Sequence, residues 1–132
     1  MTVSKKIPFE FVVESLLSLN PKVKPMFGCF AVYVDEKIML VLRDRKDNAE
    51  ANGVWLATSK EHHASLKKDF PEMCSIYILS DGKAETEWQM LPLSADDFES
   101  SVMKACEFIL RGDVRIGRVP KVRKQKMKKA KT

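Results

Sequence analysis

The stretch of sequence that decides the fold is MFGCFAVYVDEKIMLVL, residues 26–42. Its first part, residues 26–34, is rich in β-branched and aromatic side chains, and its last part, residues 38–42, is entirely apolar. Residues 35–37 form a polar connection of hairpin length between the two parts. The pattern predicts two antiparallel strands, and Gly28 permits a bulge or a tight bend in the first of them.

Amphipathic helices are predicted on both sides of this hairpin. Residues 9–19 carry apolar side chains at the spacing of one helical face, namely Phe9, Val12, Val13, Leu16 and Leu17. Pro21 ends this helix, because proline cannot continue it. A last helix is predicted from Ser94, with an acidic residue three positions later at Asp97, to Arg111 and Gly112. Its apolar face consists of Phe98, Val102, Ala105, Cys106, Ile109 and Leu110.

Between the hairpin and the last helix, the sequence predicts strands and one short helix. Residues 43–53 are polar and predict an exposed loop, and residues 54–57 predict a strand. Thr58 and Glu61 have the spacing of a capping box, which predicts a helix from there to about Asp69. Residues 75–79 and 85–91 flank an Asp81-Gly82 turn and predict a second hairpin. Antiparallel hairpins with helices covering one face of the sheet are typical of the α+β class.

The charge is distributed unevenly along the 132 residues, whose net charge is +5. Residues 119–132 contain seven cations and no acid: Lys121, Arg123, Lys124, Lys126, Lys128, Lys129 and Lys131. Subtracting these seven from the 23 basic residues leaves 16, against 18 acidic residues, so the rest of the chain has a net charge of −2. We therefore expect one domain over residues 1–118, followed by a basic tail at residues 119–132 that is disordered when unbound.

The cysteine content and the hydrophobic runs favour a cytoplasmic protein. Cys29, Cys74 and Cys106 are too few to pair completely and form no C-x-x-C motif, which favours reduced thiols. The longest apolar run, residues 38–42, is far shorter than the roughly 20 residues that span a membrane. Pro8 and Glu10 follow the first lysines where a secretory signal would be apolar, so no signal is expected.

None of the reactive side chains forms a catalytic or metal-binding motif. Cys29 has no basic group beside it in sequence that would favour the thiolate, so a buried structural cysteine is expected. His62 and His63 are adjacent and point about 100° apart on a helix, so they cannot share a metal ion. The acids at positions 96, 97 and 99 suit a helix N-terminus. The sequence contains no G-x-S-x-G, P-loop or dinucleotide fingerprint, so we predict no cofactor, no metal and no catalytic residue.

Aromatic residues and mixed charges have structural interpretations as well. Trp55, Trp88, Tyr33 and Tyr77 fall in predicted strands, where they could stack on bases, but no basic residues alternate with them. Packing against the core or the helices is therefore the favoured interpretation. Residues 43–47 mix both signs of charge and predict a solvated loop.

The basic tail leaves three roles open. Its seven cations can neutralise phosphates of nucleic acid and release counterions, which gives sequence-independent and salt-sensitive binding. They could also attract an anionic membrane surface, but the tail has no apolar face or lipidation site, so no membrane partner is expected. The third role is that of an extension that only aids solubility.

The helix before Pro21, the motif Met26-Phe27-Gly28, the Val32-Tyr33 strand and the Asp35 turn together resemble the N-terminal domain of TfoX, the competence regulator. The resemblance is best over residues 11–42 and continues through residues 88–92 and 97–110, which amounts to about three quarters of the chain. Members of the family usually have a second glycine where this chain has Cys29, and residues 43–53 and 59–69 differ from the family pattern.

The resemblance implies a helix, a five-stranded sheet and a second helix, with Met26, Phe27 and Gly28 in a structural role. It also implies a non-enzymatic regulatory or interaction module. Competence regulation by full-length TfoX proteins involves a second, C-terminal domain, which we expect this chain to lack. The protein partner is unidentified, and self-association through exposed sheet edges is left open. A nucleic-acid-associated accessory protein is the alternative, and an enzyme with a scattered site is the third hypothesis.

Overall fold

The computed structural model describes residues 7–26, 28–76 and 87–119, and within these ranges it has one antiparallel sheet of six strands and three α-helices. The strands are β1 (Lys22–Met26), β2 (Cys29–Val34), β3 (Lys37–Arg43), β4 (Gly53–Leu56), β5 (Cys74–Ser75) and β6 (Gln89–Pro92). The helices are α1 (Glu10–Ser15), α2 (His63–Asp69) and α3 (Phe98–Leu110). The strand order across the sheet is β1-β2-β3-β4-β6-β5. The predicted α+β class is confirmed, but the described residues form six strands where five were predicted.

The hairpin of β2 and β3 forms as predicted and lies inside the sheet. Its turn contains Asp35 with a φ of 57°, a left-handed conformation that aspartate tolerates better than most residues. Six consecutive residues of β3, from Ile38 to Arg43, are buried. This central strand is therefore covered on both faces of the sheet, unlike a strand that has one face in solvent.

The first predicted strand, residues 26–34, is in fact two strands. Met26 at the end of β1 pairs with Cys29 at the start of β2, and Gly28 between them has a φ of 82°. Only glycine adopts that conformation at little cost, so the chain reverses there instead of bulging. The strand that the sequence did not predict, β1, lies at one edge of the sheet and contains Pro25, which edge strands tolerate.

The second predicted hairpin is represented by β5 and β6, which pair antiparallel. Its predicted turn at Asp81-Gly82 lies outside the described residues. The strand predicted at residues 54–57 is observed as β4, which pairs with β3 on one side and β6 on the other.

The first helix is shorter than its sequence pattern predicts. It is α-helical only to Ser15, and a 3₁₀ turn at Leu17–Leu19 follows before Asn20 in a left-handed conformation. Val12 and Leu16 are fully buried, whereas Leu17, predicted on the same face, is 63% exposed. The change to 3₁₀ geometry alters the spacing of side chains around the axis and turns Leu17 away from the core.

Both predicted helix caps are wrong in detail. A 3₁₀ turn at Lys60–His62 precedes α2, with no side-chain cap from Ser59, and Thr58 Oγ1 is buried without a hydrogen-bond partner among the described residues. The last helix begins at Phe98 instead of Ser94, and Asp97 makes no side-chain capping bond. Residues 93–97 form turns instead, in which Ala95 N–H donates to the carbonyl of Pro92.

The three helices pack on one face of the sheet and form the larger core cluster. In α3 the predicted face is buried except for Leu110, which is 40% exposed, while Phe108 lies inside instead. The opposite face of the sheet has its own cluster, in which Ala31, Val41, Trp55 and Met90 form one row across four strands. The 44–52 loop covers part of this row, and Trp55 Nε1 donates to the Ala51 carbonyl at 3.0 Å.

Two glycines with positive φ allow the packing between β4 and β6 to be tested. Gly53 has a φ of 148°, and a methyl group there would overlap the Leu91 carbonyl and crowd the Leu93 N–H, both of which are backbone atoms. We expect Gly53→Ala to lower the free energy of unfolding by roughly 3 kcal/mol or more, because a backbone clash is added to backbone strain.

The matched control is Gly112→Ala after α3, where φ is 78° but a methyl group meets nothing within 4 Å. Only backbone strain remains at that position, so the cost should be about 1 kcal/mol. Urea unfolding of both variants measures the difference. Equal costs would contradict the close approach of β6 to Gly53.

Candidate functional site

The seven cations of the predicted tail lie outside the described residues, but the structure fixes the point from which they continue. Arg118 pairs with Ile38: each residue's N–H donates to the other's carbonyl, at N···O distances of 2.9 and 3.0 Å. Gly117 N–H also donates to the Ala57 carbonyl at 2.7 Å. Since β4 ends at Leu56, the C-terminal segment occupies the place beside β3 that β4 has left. The chain through Arg118 is thus bonded into the sheet.

An ion-pair cluster after α3 directs this segment toward the sheet. The Arg115 guanidinium donates to both carboxylate oxygens of Asp113, at 3.0 and 2.8 Å, and to Asp69 Oδ2 at 3.1 Å. The guanidinium carbons of Arg111 and Arg115 also lie 4.9 and 5.2 Å from the ring centroid of Phe108. The hydrogen bonds from Arg115 hold the pKa of Asp113 below its usual range. The turn between α3 and Arg118 is therefore held to α2 and α3 by charge pairs and ring contacts.

The side chain of Arg118 meets acidic and polar groups of the domain. Its Nη1 donates to the Thr58 carbonyl at 3.3 Å and lies 3.9 Å from Glu87 Oε1. The Glu87 carboxylate also accepts the Lys60 N–H at 3.3 Å. The positive charge of Arg118 is therefore partly offset within the fold.

The turn at the Met26-Phe27-Gly28 motif is described at Met26 and Gly28, whereas Phe27 lies outside the described residues. The Arg45 guanidinium lies against Gly28, where a methyl group on that residue would overlap it. The φ of 82° favours glycine at position 28, whereas the Arg45 side chain could move aside for a methyl group. The structural roles that the resemblance implies for Met26, Phe27 and Gly28 stay predictions.

The prediction that residues 43–47 form only a solvated loop is wrong for Arg43, which is 3% exposed. Its guanidinium donates to Asn52 Oδ1 at 2.7 Å and to the carbonyls of Asn48 and Asp47 at 2.9 Å each. Asn52 also bonds the backbone of Arg45 in both directions. A buried guanidinium requires such partners, and in obtaining them it ties the loop to the sheet. The burial of Arg43 could have been identified from its position, because it ends the apolar run of β3 and precedes a loop with two asparagines.

Cys29 is 6% exposed, which confirms that it is buried, but its surroundings differ from the expectation. The structure brings the positive charges of Arg43 and Arg45 toward the thiol, although neither is adjacent to it in sequence. Burial outweighs both arginines and raises the pKa of the Cys29 thiol. A thiolate is therefore disfavoured at this position.

The other two thiols are also held in the protonated form. Burial raises the pKa of Cys106 to about 11. Burial raises the pKa of Cys74 too, and the nearby Lys67 ammonium offsets only part of the effect. Cys74 differs in being only partly buried, whereas Cys29 and Cys106 are buried.

His62 and His63 are partly buried and have separate contacts. His62 Nε2 lies 3.3 Å from Glu61 Oε2, and His63 Nε2 lies 2.7 Å from the Glu87 carbonyl. Across residues 7–26, 28–76 and 87–119, no three side chains of His, Cys, Asp or Glu are grouped so that they could hold a metal ion. The acids Asp96, Asp97 and Glu99 are exposed around the start of α3.

Two of the aromatic residues in the predicted strands pack in or against a core cluster. A third, Tyr33, has a basic residue beside it. Trp55 is buried in the second cluster, Trp88 packs against that cluster, and Tyr77 lies outside the described residues. Tyr33 is partly exposed, and Lys24 Nζ on the neighbouring strand lies 5.0 Å from the centroid of its ring. A basic residue therefore does lie beside an aromatic one on this sheet, contrary to the expectation.

Comparisons of the chain with protein-family models, with curated proteins and with solved structures found no match. Among the helices in the described parts of the chain, none is long and apolar enough to cross a membrane.

The Arg115 cluster yields a pH-dependent prediction. Because the folded-state pKa of Asp113 is depressed, its contribution is present above the ordinary aspartate pKa of about 3.9 and is lost as the pH falls through the folded value. We expect Arg115→Met to lower the free energy of unfolding by about 1 kcal/mol at pH 7. This loss of unfolding free energy should be smaller at an acidic pH at which Asp113 is protonated. Urea unfolding at pH 7 and at the acidic pH measures it.

Arg111→Met is the matched control, because it removes the other cation beside Phe108 and keeps the direct bonds between Arg115 and Asp113. Its effect should change less with pH. If the loss in Arg115→Met is equal at neutral and acidic pH, the Asp113 pair does not make the contribution assigned to it.

The burial of the thiols predicts an order of alkylation in the native protein. Cys74 should react with iodoacetamide on the order of tenfold or more faster than Cys29 and Cys106, because a buried thiol reacts only after local opening. Peptide mass spectrometry of a time course gives the three rates, and the urea-unfolded chain serves as the control in which they should converge. Rapid labelling of Cys29 in the native state would contradict its burial.

Proposed function

We propose that this chain is a non-enzymatic interaction module, similar to the N-terminal domain of TfoX, that attaches to nucleic acid through its basic C-terminal segment. Its main support is the difference in net charge between the sequence before and the sequence after Arg118, a residue that is bonded into the sheet. Seven cations without an acid follow Arg118, which is bonded to Ile38, whereas residues 1–118 have a net charge of −2. A polyanion is therefore attracted to one end of the chain and weakly repelled by the rest.

The resemblance to the TfoX N-terminal domain and the state of the three thiols support a regulatory or interaction role for the folded part. In this part helices α1 and α3 pack on one face of the sheet, and the Gly28 turn joins β1 to β2. The raised pKa of each of the three thiols supports a non-catalytic role, since a cysteine nucleophile acts as its thiolate. Attachment through the segment after Arg118 leaves this folded part accessible to a protein partner.

Fluorescence anisotropy tests the nucleic-acid half of the proposal. A labelled generic duplex and a labelled single strand are titrated with the full chain and with a full-length variant in which all seven tail cations are glutamine. The full chain should bind both, with a log–log salt slope as steep as about −6 on duplex if every tail cation contacts a phosphate. The glutamine variant should lose this binding at low and at physiological salt.

A variant with Lys22 and Lys24 replaced by glutamine serves as the control for charge on the folded part, because both residues are exposed on β1. It should bind nearly as well as the full chain. Binding that survives neutralisation of the tail but not of β1 would move the interface to the sheet beside Tyr33. No binding by the full chain would leave the tail as a solubility extension and the module with protein partners only.

A further inference from the structure

A cavity of about 340 Å³ lies between α2 and the strands β5 and β6. It is small for a ligand site but within the usual range. Polar side chains from three elements line it: His63 and Lys67 from α2, Cys74 and Ser75 from β5, and Gln89 from β6. No sequence motif predicted this site, because its residues come from positions up to 26 apart in the chain.

The polar groups in the cavity are held in place by the fold. His63 and Lys67 are four residues apart on α2 and therefore point to the same side. His63 Nε2 is bonded to the Glu87 carbonyl at 2.7 Å, and Lys67 Nζ donates to the Met73 carbonyl at 2.7 Å. Gln89 is only 5% exposed, and its Nε2 donates to Ser75 Oγ at 3.2 Å. The lining is thus fixed before any ligand arrives, which reduces the entropic cost of binding.

The charge of the lining favours an anion. Among the described residues that line the cavity, Lys67 is the charged one and none carries a carboxylate. An ammonium has three N–H donors, of which the bond to Met73 uses one. Two acids of the described residues have positions outside this lining: Glu87 accepts the Lys60 N–H and faces Arg118, and Glu72 acts electrostatically on Cys74.

We propose that this cavity binds a small oxyanion, such as the carboxylate or phosphate group of a small metabolite, with Lys67 as its charged contact. The Ser75 hydroxyl can donate to the anion, whereas the His63 ring donates its Nε2–H to the Glu87 carbonyl and helps to fix the lining. The lining residues lie between positions 63 and 89 of the sequence, outside the basic segment, so anion binding here does not require nucleic-acid binding. A ligand here would give the module a way to respond to a small molecule.

Cys74 lies in the lining and serves as a built-in reporter, because the other two cysteines are buried. Alkylation of Cys74 by iodoacetamide, an uncharged reagent, is followed by mass spectrometry while phosphate or acetate replaces chloride at constant ionic strength. A bound anion covers the thiol, so at ten times its Kd the rate should fall about tenfold. Protection by both anions indicates a general oxyanion site, and protection by phosphate alone indicates a phosphate site.

Lys67→Met should abolish this protection, whereas Lys68→Met, on the adjacent residue that points about 100° away, should keep it. The rates with and without phosphate are compared within each variant, since Lys67 also affects the thiol directly. Lys67→Arg keeps the charge and should retain protection, which separates binding from a defect in folding. Equal protection of wild type and Lys67→Met, or none in wild type, would overturn the proposal.

A second measurement covers the case in which Cys74 reacts too slowly to follow. Phosphate titrated into the ¹⁵N-labelled full chain should shift the amide resonances of Ser75 and Gln89 in wild type and not in Lys67→Met. The absence of such shifts in wild type would equally overturn the proposal.

Discussion

The burial of β3 on both faces of the sheet is the constraint on which the rest of the structure depends. Residues 38–43 have helices on one side and the Trp55 row with the 44–52 loop on the other. A strand in this position has no side facing solvent, so each of its polar groups needs a hydrogen-bond partner from another part of the chain. The Ile38 backbone is matched by Arg118, and the Arg43 guanidinium is matched by Asn48 and Asn52.

Two peripheral segments, the 44–52 loop and the segment after α3, are held in place at the two ends of β3. At the Arg43 end, a buried charge holds a polar loop that would otherwise be solvated, and Arg45 from that loop covers the Gly28 turn. At the Ile38 end, the segment after α3 takes the place left by β4, so the basic segment starts from a defined position. The point at which a cationic segment leaves the fold decides which part of the fold is brought to a polyanion.

The proposed anion cavity and the start of the basic segment are neighbours through one residue. The Glu87 carbonyl accepts from His63 in the cavity lining, and the Glu87 carboxylate faces Arg118 and accepts the Lys60 N–H. Arg118, from which the basic segment continues, and His63 in the cavity lining therefore both contact Glu87, two residues before β6 begins. The Glu87 carboxylate offsets the charge of Arg118, and the Glu87 carbonyl accepts the ring N–H of His63.

The sequence by itself determined the features that depend on neighbouring residues: the β2–β3 hairpin, the inward face of α3 and the charge separation at residue 119. Side-chain periodicity and turn chemistry are local properties, so they can be recognised without knowing the fold. Only the tertiary structure decided that β1 pairs at the edge of the sheet and that Arg43 is buried. It also decided that two arginines approach Cys29 and that Lys67 and Cys74 line the same cavity. Each of these depends on which distant segments pack together, and long-range pairing leaves no periodic trace in the residues that take part.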